Sequence, residues 1–239
     1  MRDELADIRP PGARLARFNL VLLLVGGLAM AAGQWAIFVH APEEQVMGLT
    51  QKLFYLHLPL AWWGLMSFLL ACLAGVLYLA RRNPFWDALG EAALENGLLL
   101  AVLALLTGSI WARTAWNTWW TWDPRLSTTL VMCFIYAGVL VVRRLDFSFE
   151  RRAALSAVLS IVAFVDVPLV FFSARLWPRT VHPAIVGKNA LAPEMLGVLL
   201  FCLLALGLFW LGLLMLRCRQ GLAGRKLERM QVLNGDNHE

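Results

Sequence analysis

The stretch PEMLGVLLFCLLALGLFWLGLLML, residues 193–216, decides the fold class. A helix needs about 20 predominantly apolar residues to cross a hydrocarbon core about 30 Å thick. This run carries one charge, Glu194, over 24 residues and ends on Arg217. Working outward, five further runs bounded by charges read the same way, at residues 18–39, 58–80, 92–111, 126–142 and 153–172. The chain of 239 residues is 60% hydrophobic and 15% charged, against about 45–50% and about 25% in soluble domains. An ordinary soluble enzyme is excluded, and so is a disordered chain, which is poor in apolar and aromatic residues. The expected fold is an all-α integral membrane protein with six transmembrane helices. It forms a single domain over residues 1–221, followed by a polar cytoplasmic tail over residues 222–239.

Charge gives the expected orientation. Fifteen of the 21 Lys and Arg fall in the N-terminal segment, the second and fourth connections and the C-terminal segment. The other six, Lys52, Arg113, Arg125, Arg175, Arg179 and Lys188, fall on the opposite side. By the positive-inside rule both termini are cytoplasmic. The first run follows Arg2, Arg9, Arg14 and Arg17 and lacks a short apolar region ending in an A-x-A site, so it is expected to remain as a helix. The net charge of +5 does not gather on one soluble face, as a nucleic-acid surface requires. Cys72, Cys133, Cys202 and Cys218 form no CxxC pair and read as small core hydrophobes.

The outer side holds the residues with chemistry. Five of the 11 tryptophans, Trp111, Trp116, Trp119, Trp120 and Trp122, crowd into residues 111–122. An interfacial aromatic belt accounts for Trp35, Trp86 and Trp210, but a belt spreads its rings over several helices. Indoles alternating with Asn117, Thr118 and Thr121, then Asp123 and Arg125, form instead a flat platform with a polar edge. Flat rings stack, and a few placed polar groups orient a ligand, so the platform suits a large planar apolar molecule with charged substituents. His57 and His182 fall on the same side, and two imidazoles from opposite directions suit the axial positions of a haem iron. The alternative is that both are hydrogen-bonded interfacial side chains. His40 also lies outside, without a motif, and His238 reads as solvated.

Proline stands beside both histidines, in FYLHLP and TVHP. His182, directly before Pro183, is expected on extended chain, and His57 in the first turn of a helix; the other reading is that the prolines only start helices. Arg113 and Arg125 bracket the tryptophans, and Arg175, Arg179 and Lys188 surround His182. Arg forks pair with carboxylates such as haem propionates; solvated charges are the alternative. Asp166, inside the fifth run, costs about 2.5–3.5 kcal/mol at midplane and is expected to pair with an outer Arg in a structural role. Glu91 and Glu95 are expected to meet the positive end of the third helix. No P-loop is present, so ATP would bind another subunit, and an enzymatic activity of the chain itself stays open.

The run TWWTWDPRLSTTL, preceded by GSIWARTAW and combined with KLFYLHLPLAWW and FSARLWPRTVHP, resembles the CcmC family of haem-handling membrane proteins in system I cytochrome c maturation. The resemblance covers all six runs. Asn117 stands where many members have glycine, and Pro124 where many have alanine. The resemblance implies an outer WWD-type loop at about residues 111–126, with Trp116, Trp119, Trp120, Trp122 and Asp123 in the haem-binding motif. It implies haem b held at the outer face, with His57 and His182 as axial ligands. It further implies presentation to the periplasmic haem chaperone CcmE, whose histidine becomes attached to a haem vinyl. The implied partners are the small protein CcmD and the ABC transporter subunits CcmA and CcmB, in the bacterial inner membrane.

Three other readings stand beside this one. A CcsA-type system II cytochrome c synthase also carries such a loop and outer histidines, but the six-run layout with FYLHLP and TVHP favours CcmC. A transporter subunit needs a polar route through the spans, and Asp166 alone does not line one. A structural subunit would use the tryptophans as a contact surface and would carry no haem.

Overall fold

The structure is a computed structural model and describes residues 12–45, 47–176 and 191–235. The elements are α1 (Ala13–Trp35), α2 (Phe54–Arg81), α3 (Pro84–Trp116), α4 (Pro124–Val142), α5 (Phe149–Ala163), α6 (Asp166–Leu176) and α7 (Pro193–Gly235). A π-helical turn, Ala36–His40, extends α1, and a 3-10 turn, Leu49–Leu53, leads into α2. No strand occurs among the described residues. Among the described residues, six segments are long and apolar enough to cross a membrane: Arg14–His40, Leu49–Arg81, Pro84–Trp116, Pro124–Val142, Phe149–Ser173 and Pro193–Leu227. The protein is therefore a multi-pass membrane protein. Backbone groups in lipid have no water to bond, and helices satisfy them internally.

Local sequence explains where several helices start and stop. Asn83 caps α3 by accepting from the Phe85 backbone N–H at 2.8 Å, and Pro84 takes the first helical position, where a missing N–H costs nothing. Arg82 ends α2 in the left-handed region, φ 54°, with its N–H on the Tyr78 carbonyl at 2.8 Å. The connection from α2 to α3 is thus two residues, and these helices form the most extensive pair in the bundle. The second helix begins at Phe54, earlier than the run at residue 58 suggests, and Pro59 lies inside it. So near the start, proline removes a single helical hydrogen bond.

Packing places the helices. Between helices in lipid the drive is van der Waals fit and hydrogen bonding rather than escape from water. The rings of Phe68 on α2 and Tyr136 on α4 stack with centroids 3.8 Å apart and planes 4° apart, at the centre of the largest core cluster. α1 packs chiefly on α7, where a Cβ on Gly26 would come within 2.6 Å of the Phe209 backbone nitrogen; only glycine permits that approach. Leu20, Leu24 and Leu28 on the far side of α1 remain exposed, a face for lipid.

Three expectations are corrected here. The run at residues 153–172 is not one helix. It breaks at Phe164 and Val165, where the Val165 and Val167 amides bond three residues back, to Val162 and Phe164. Pro168 explains the break, since it has no N–H for the Phe164 carbonyl. Trp210 does not sit in a belt: it stacks on Trp63 at 4.6 Å and donates to the Ser67 hydroxyl at 2.8 Å. Glu91 and Glu95 lie too far into α3 to meet its dipole, because the helix starts at Pro84 and the dipole acts within the first turn.

Those carboxylates instead join an ion network at the end of the bundle opposite the tryptophan segment. Arg143 donates to both oxygens of Asp87, at 2.7 and 3.2 Å, and to Glu91 at 2.8 Å. Arg225 of α7 reaches Asp87 at 2.7 Å, Glu91 at 3.0 Å and the Pro84 carbonyl at 2.8 Å. Arg217 holds Glu95 at 2.6 and 2.7 Å. Burial works against the Arg143 charge, but the hydrogen bonds and fields of Asp87 and Glu91 outweigh it and raise its pKa above the ordinary arginine value. α7 runs on through residue 222 to Gly235, with Arg225 buried in this network.

Candidate haem site

The tryptophan segment begins on α3, which runs on past the expected loop start at residue 111 and carries Trp111 and Trp116, and continues through the connection at residues 117–123 to α4. Asn117 ends α3 in the left-handed conformation, φ 57°, a region that asparagine enters more readily than most side chains. It therefore takes the place of a glycine there. Asp123 caps α4 by accepting from the Leu126 backbone N–H at 2.9 Å, and Pro124 fills the first helical position. The connection is thereby fixed at both ends by its own sequence. Asp123 is buried, so its carboxylate is engaged in shaping the segment.

The indoles divide by exposure. Trp122 is 78% exposed, Trp119 61% and Trp116 37%, while Trp111 is only 7% exposed. Trp120 is partly buried and meets Trp122 edge-on at 5.7 Å. Arg113 donates to the Asn117 carbonyl at 3.0 Å and to its side-chain oxygen, and lies 5.9 Å from the Trp119 ring centre. Arg125 reaches toward the Ser173 hydroxyl and the Phe171 carbonyl at 3.4 and 3.5 Å, long contacts that tie the start of α4 to α6. The indole N–H groups of Trp111 and Trp120 and the Thr121 hydroxyl are buried without a hydrogen-bond partner among the described residues. Buried polar groups are normally satisfied, so the segment has hydrogen-bonding capacity for a ligand or water.

His57 is the fourth residue of α2. Its Nδ1 lies 3.0 Å from the Ala104 carbonyl and 3.2 Å from the Thr107 hydroxyl of α3. A carbonyl only accepts, so Nδ1 carries a proton; in the neutral imidazole the lone pair then falls on Nε2, the form that ligates a metal. The ring meets Trp111 edge-on at 5.9 Å, and Trp111 stacks on Trp116 at 6.2 Å. Aromatic contacts therefore run without interruption from His57 through Trp111 to Trp116. Ala104 and Thr107 were not among the residues singled out for the site, and Trp111 was counted with the platform tryptophans but not as a neighbour of His57. Their signal in the sequence is the helical spacing of 104, 107 and 111, which sets them on one face.

Not every expected residue joins this arrangement. His40 is exposed at the end of the π-helical turn. His182, Arg179, Lys188 and His238 lie outside the described residues, as does the side chain of Arg175. Asp166 opens α6, and its Oδ2 is buried with no hydrogen-bond partner among the described residues, so the expected pairing with an Arg is not seen there. Lys52 is instead buried, donating to the Phe38 carbonyl at 3.0 Å and tying α1 to the start of α2.

Six membrane-spanning segments, with a tryptophan-rich stretch and a histidine tied to it by ring contacts, define a helical membrane protein. The heme exporter protein C (CcmC) family model matches residues 12–233, and the chain belongs to that family. It is 31% identical over 227 residues to the heme exporter protein C of Bradyrhizobium diazoefficiens, covering 92% of this chain and 81% of that protein. Identity to the Escherichia coli K12 heme exporter protein C is 31% over 169 residues, 70% of this chain and 65% of that one. A putative cytochrome c biosynthesis ccmC-like mitochondrial protein of Marchantia polymorpha is 27% identical over 184 residues, 76% of this chain and 78% of its own. Membership supports a role in haem handling for cytochrome c maturation.

Proposed function

We propose that the chain holds haem b, as cargo, between the Trp116, Trp119, Trp120 and Trp122 segment and His57. In this reading it presents haem to a CcmE-type chaperone at the periplasmic face of the bacterial inner membrane. The observation that carries the reading is the unbroken ring contact from His57 through Trp111 to Trp116, with the imidazole Nδ1 held on the Ala104 carbonyl. The donor set fits the cargo: a neutral imidazole for iron, indole faces for the porphyrin plane, and Arg113 and Arg125 for propionates. His182 is the proposed second axial ligand, and Asp123 shapes the motif. Both termini are cytoplasmic, supported by the weight of Lys and Arg on that side. A CcmD-type small membrane protein and CcmA and CcmB ABC subunits complete the assembly.

Orientation is the chain's own contribution to the transfer. Indole stacking sets the tilt of the bound plane, arginine pairing its rotation, and His57 its height. A held geometry of this kind replaces part of the entropy that an encounter in solution would lose. The test is to purify the full chain with haem and compare it with His57→Ala, His182→Ala and the double variant by visible spectroscopy. The double variant is expected to lose haem and the native Soret band; unchanged haem content and spectrum would overturn ligation by this pair.

A further inference from the structure

We infer that Thr107 is a positioning residue for His57, acting with the Ala104 carbonyl and the bare backbone of Gly108 to set the tautomer and tilt of the imidazole. The inference rests on the reading of His57 as an iron ligand and extends it to residues outside the tryptophan segment. Residues 104, 107, 108 and 111 follow the spacing of a single helix face, and all four positions of α3 meet the same ring. The Thr107 hydroxyl lies 2.9 Å from the Leu103 carbonyl and 3.1 Å from that of Ala104. Its one proton is thus spent on its own helix. Facing Nδ1 at 3.2 Å, the hydroxyl oxygen accepts, alongside the Ala104 carbonyl at 3.0 Å. Both acceptors demand a proton on Nδ1, and together they hold the lone pair on Nε2.

Gly108 supplies the space. A Cβ at that position would stand 3.0 Å from Cε1 of His57 and 3.4 Å from Nδ1, closer than a ring and a methyl group normally approach. The imidazole thus lies against the helix backbone itself, with Trp111 bounding it edge-on at 5.9 Å. Partners on the far nitrogen of a ligating histidine fix its orientation and raise its basicity, and losing one typically lowers metal affinity about 10–100-fold. A more basic imidazole favours ferric over ferrous iron, so Thr107 is assigned the further effect of lowering the haem reduction potential.

The experiment uses the full chain purified with haem and compares Thr107→Val, Thr107→Ser and Gly108→Ala with the unmodified protein, each also in the His57→Ala background. Thr107→Val keeps the side-chain shape and removes the acceptor. It is expected to weaken haem retention about tenfold, shift the Soret band, and raise the midpoint by about 59 mV for each tenfold loss of ferric preference. Thr107→Ser is expected to restore all three, and Gly108→Ala to shift band and potential by displacing the ring. Neither change is expected to add an effect once His57 is absent. Unaltered band and potential in both Thr107→Val and Gly108→Ala, with His57→Ala clearly altered, overturns the positioning role and leaves the ligand reading standing. An unaltered His57→Ala spectrum removes the ligand reading itself. Equal effects of Thr107→Val with and without His57 overturn the inference by showing that Thr107 acts elsewhere.

Discussion

Arg143 grips both carboxylate oxygens of Asp87, at 2.7 and 3.2 Å, with the two side chains 5% and 3% exposed. The residues are 56 positions apart, and the pair joins the end of α4 to the first turn of α3. Removing one partner breaks a buried two-bond contact and leaves Arg143 with Glu91 alone, or Asp87 with Arg225 alone, so the cost approaches but does not exceed the about 3–5 kcal/mol of a fully broken buried pair. Asp87→Asn is therefore expected to lower the melting temperature of the detergent-solubilised protein sharply. Arg143→Met combined with Asp87→Leu is expected to recover part of the loss. Thermal unfolding followed by circular dichroism measures both.

The capping role of Asp123 makes a narrower prediction. Asparagine caps about as well as aspartate, and alanine costs about 1 kcal/mol. Asp123→Asn is expected to unfold near the native temperature and Asp123→Ala below it. If both fall equally, the carboxylate charge outweighs the cap.

Buried and exposed indoles are expected to behave differently. Trp119→Ala and Trp122→Ala touch exposed rings and are expected to change stability by no more than about 0.5 kcal/mol while lowering haem retention. Trp111→Ala removes a buried ring that meets both His57 and Trp116. It is expected to cost about 3–5 kcal/mol and to lose haem as well. Melting curves and haem content of the same preparations separate the two classes.

The contact of α1 with α7 depends on one missing side chain. Gly26→Val forces a branched side chain against the Phe209 backbone, and overpacking costs about 1–3 kcal/mol. Faster proteolysis of α1 in the purified protein is the expected outcome. An unchanged cleavage pattern means that the helices part without penalty.

Hydropathy summed over 20 residues, with charges and caps at its edges, made the six spans legible in advance, and the crowding of Trp116, Trp119, Trp120 and Trp122 marked one connection as unlike the rest. His57 was likewise visible beside its proline. These features are local, so one chain segment contains their whole explanation. The sequence by itself determined that the chain lies in lipid, where its helices turn, and which connection carries the aromatic rings. It did not reveal that Trp210 faces Ser67, that the fifth span breaks at Phe164, or that Arg225 closes on Asp87 and Glu91. Nor did it show the Ala104 and Thr107 acceptors on His57. Helix rotation and tilt are set by the neighbours a helix packs against, and residues 47 to 143 positions apart become partners only when that packing is complete. The tertiary structure alone decided these contacts, because an apolar run looks alike on every face until another helix selects one.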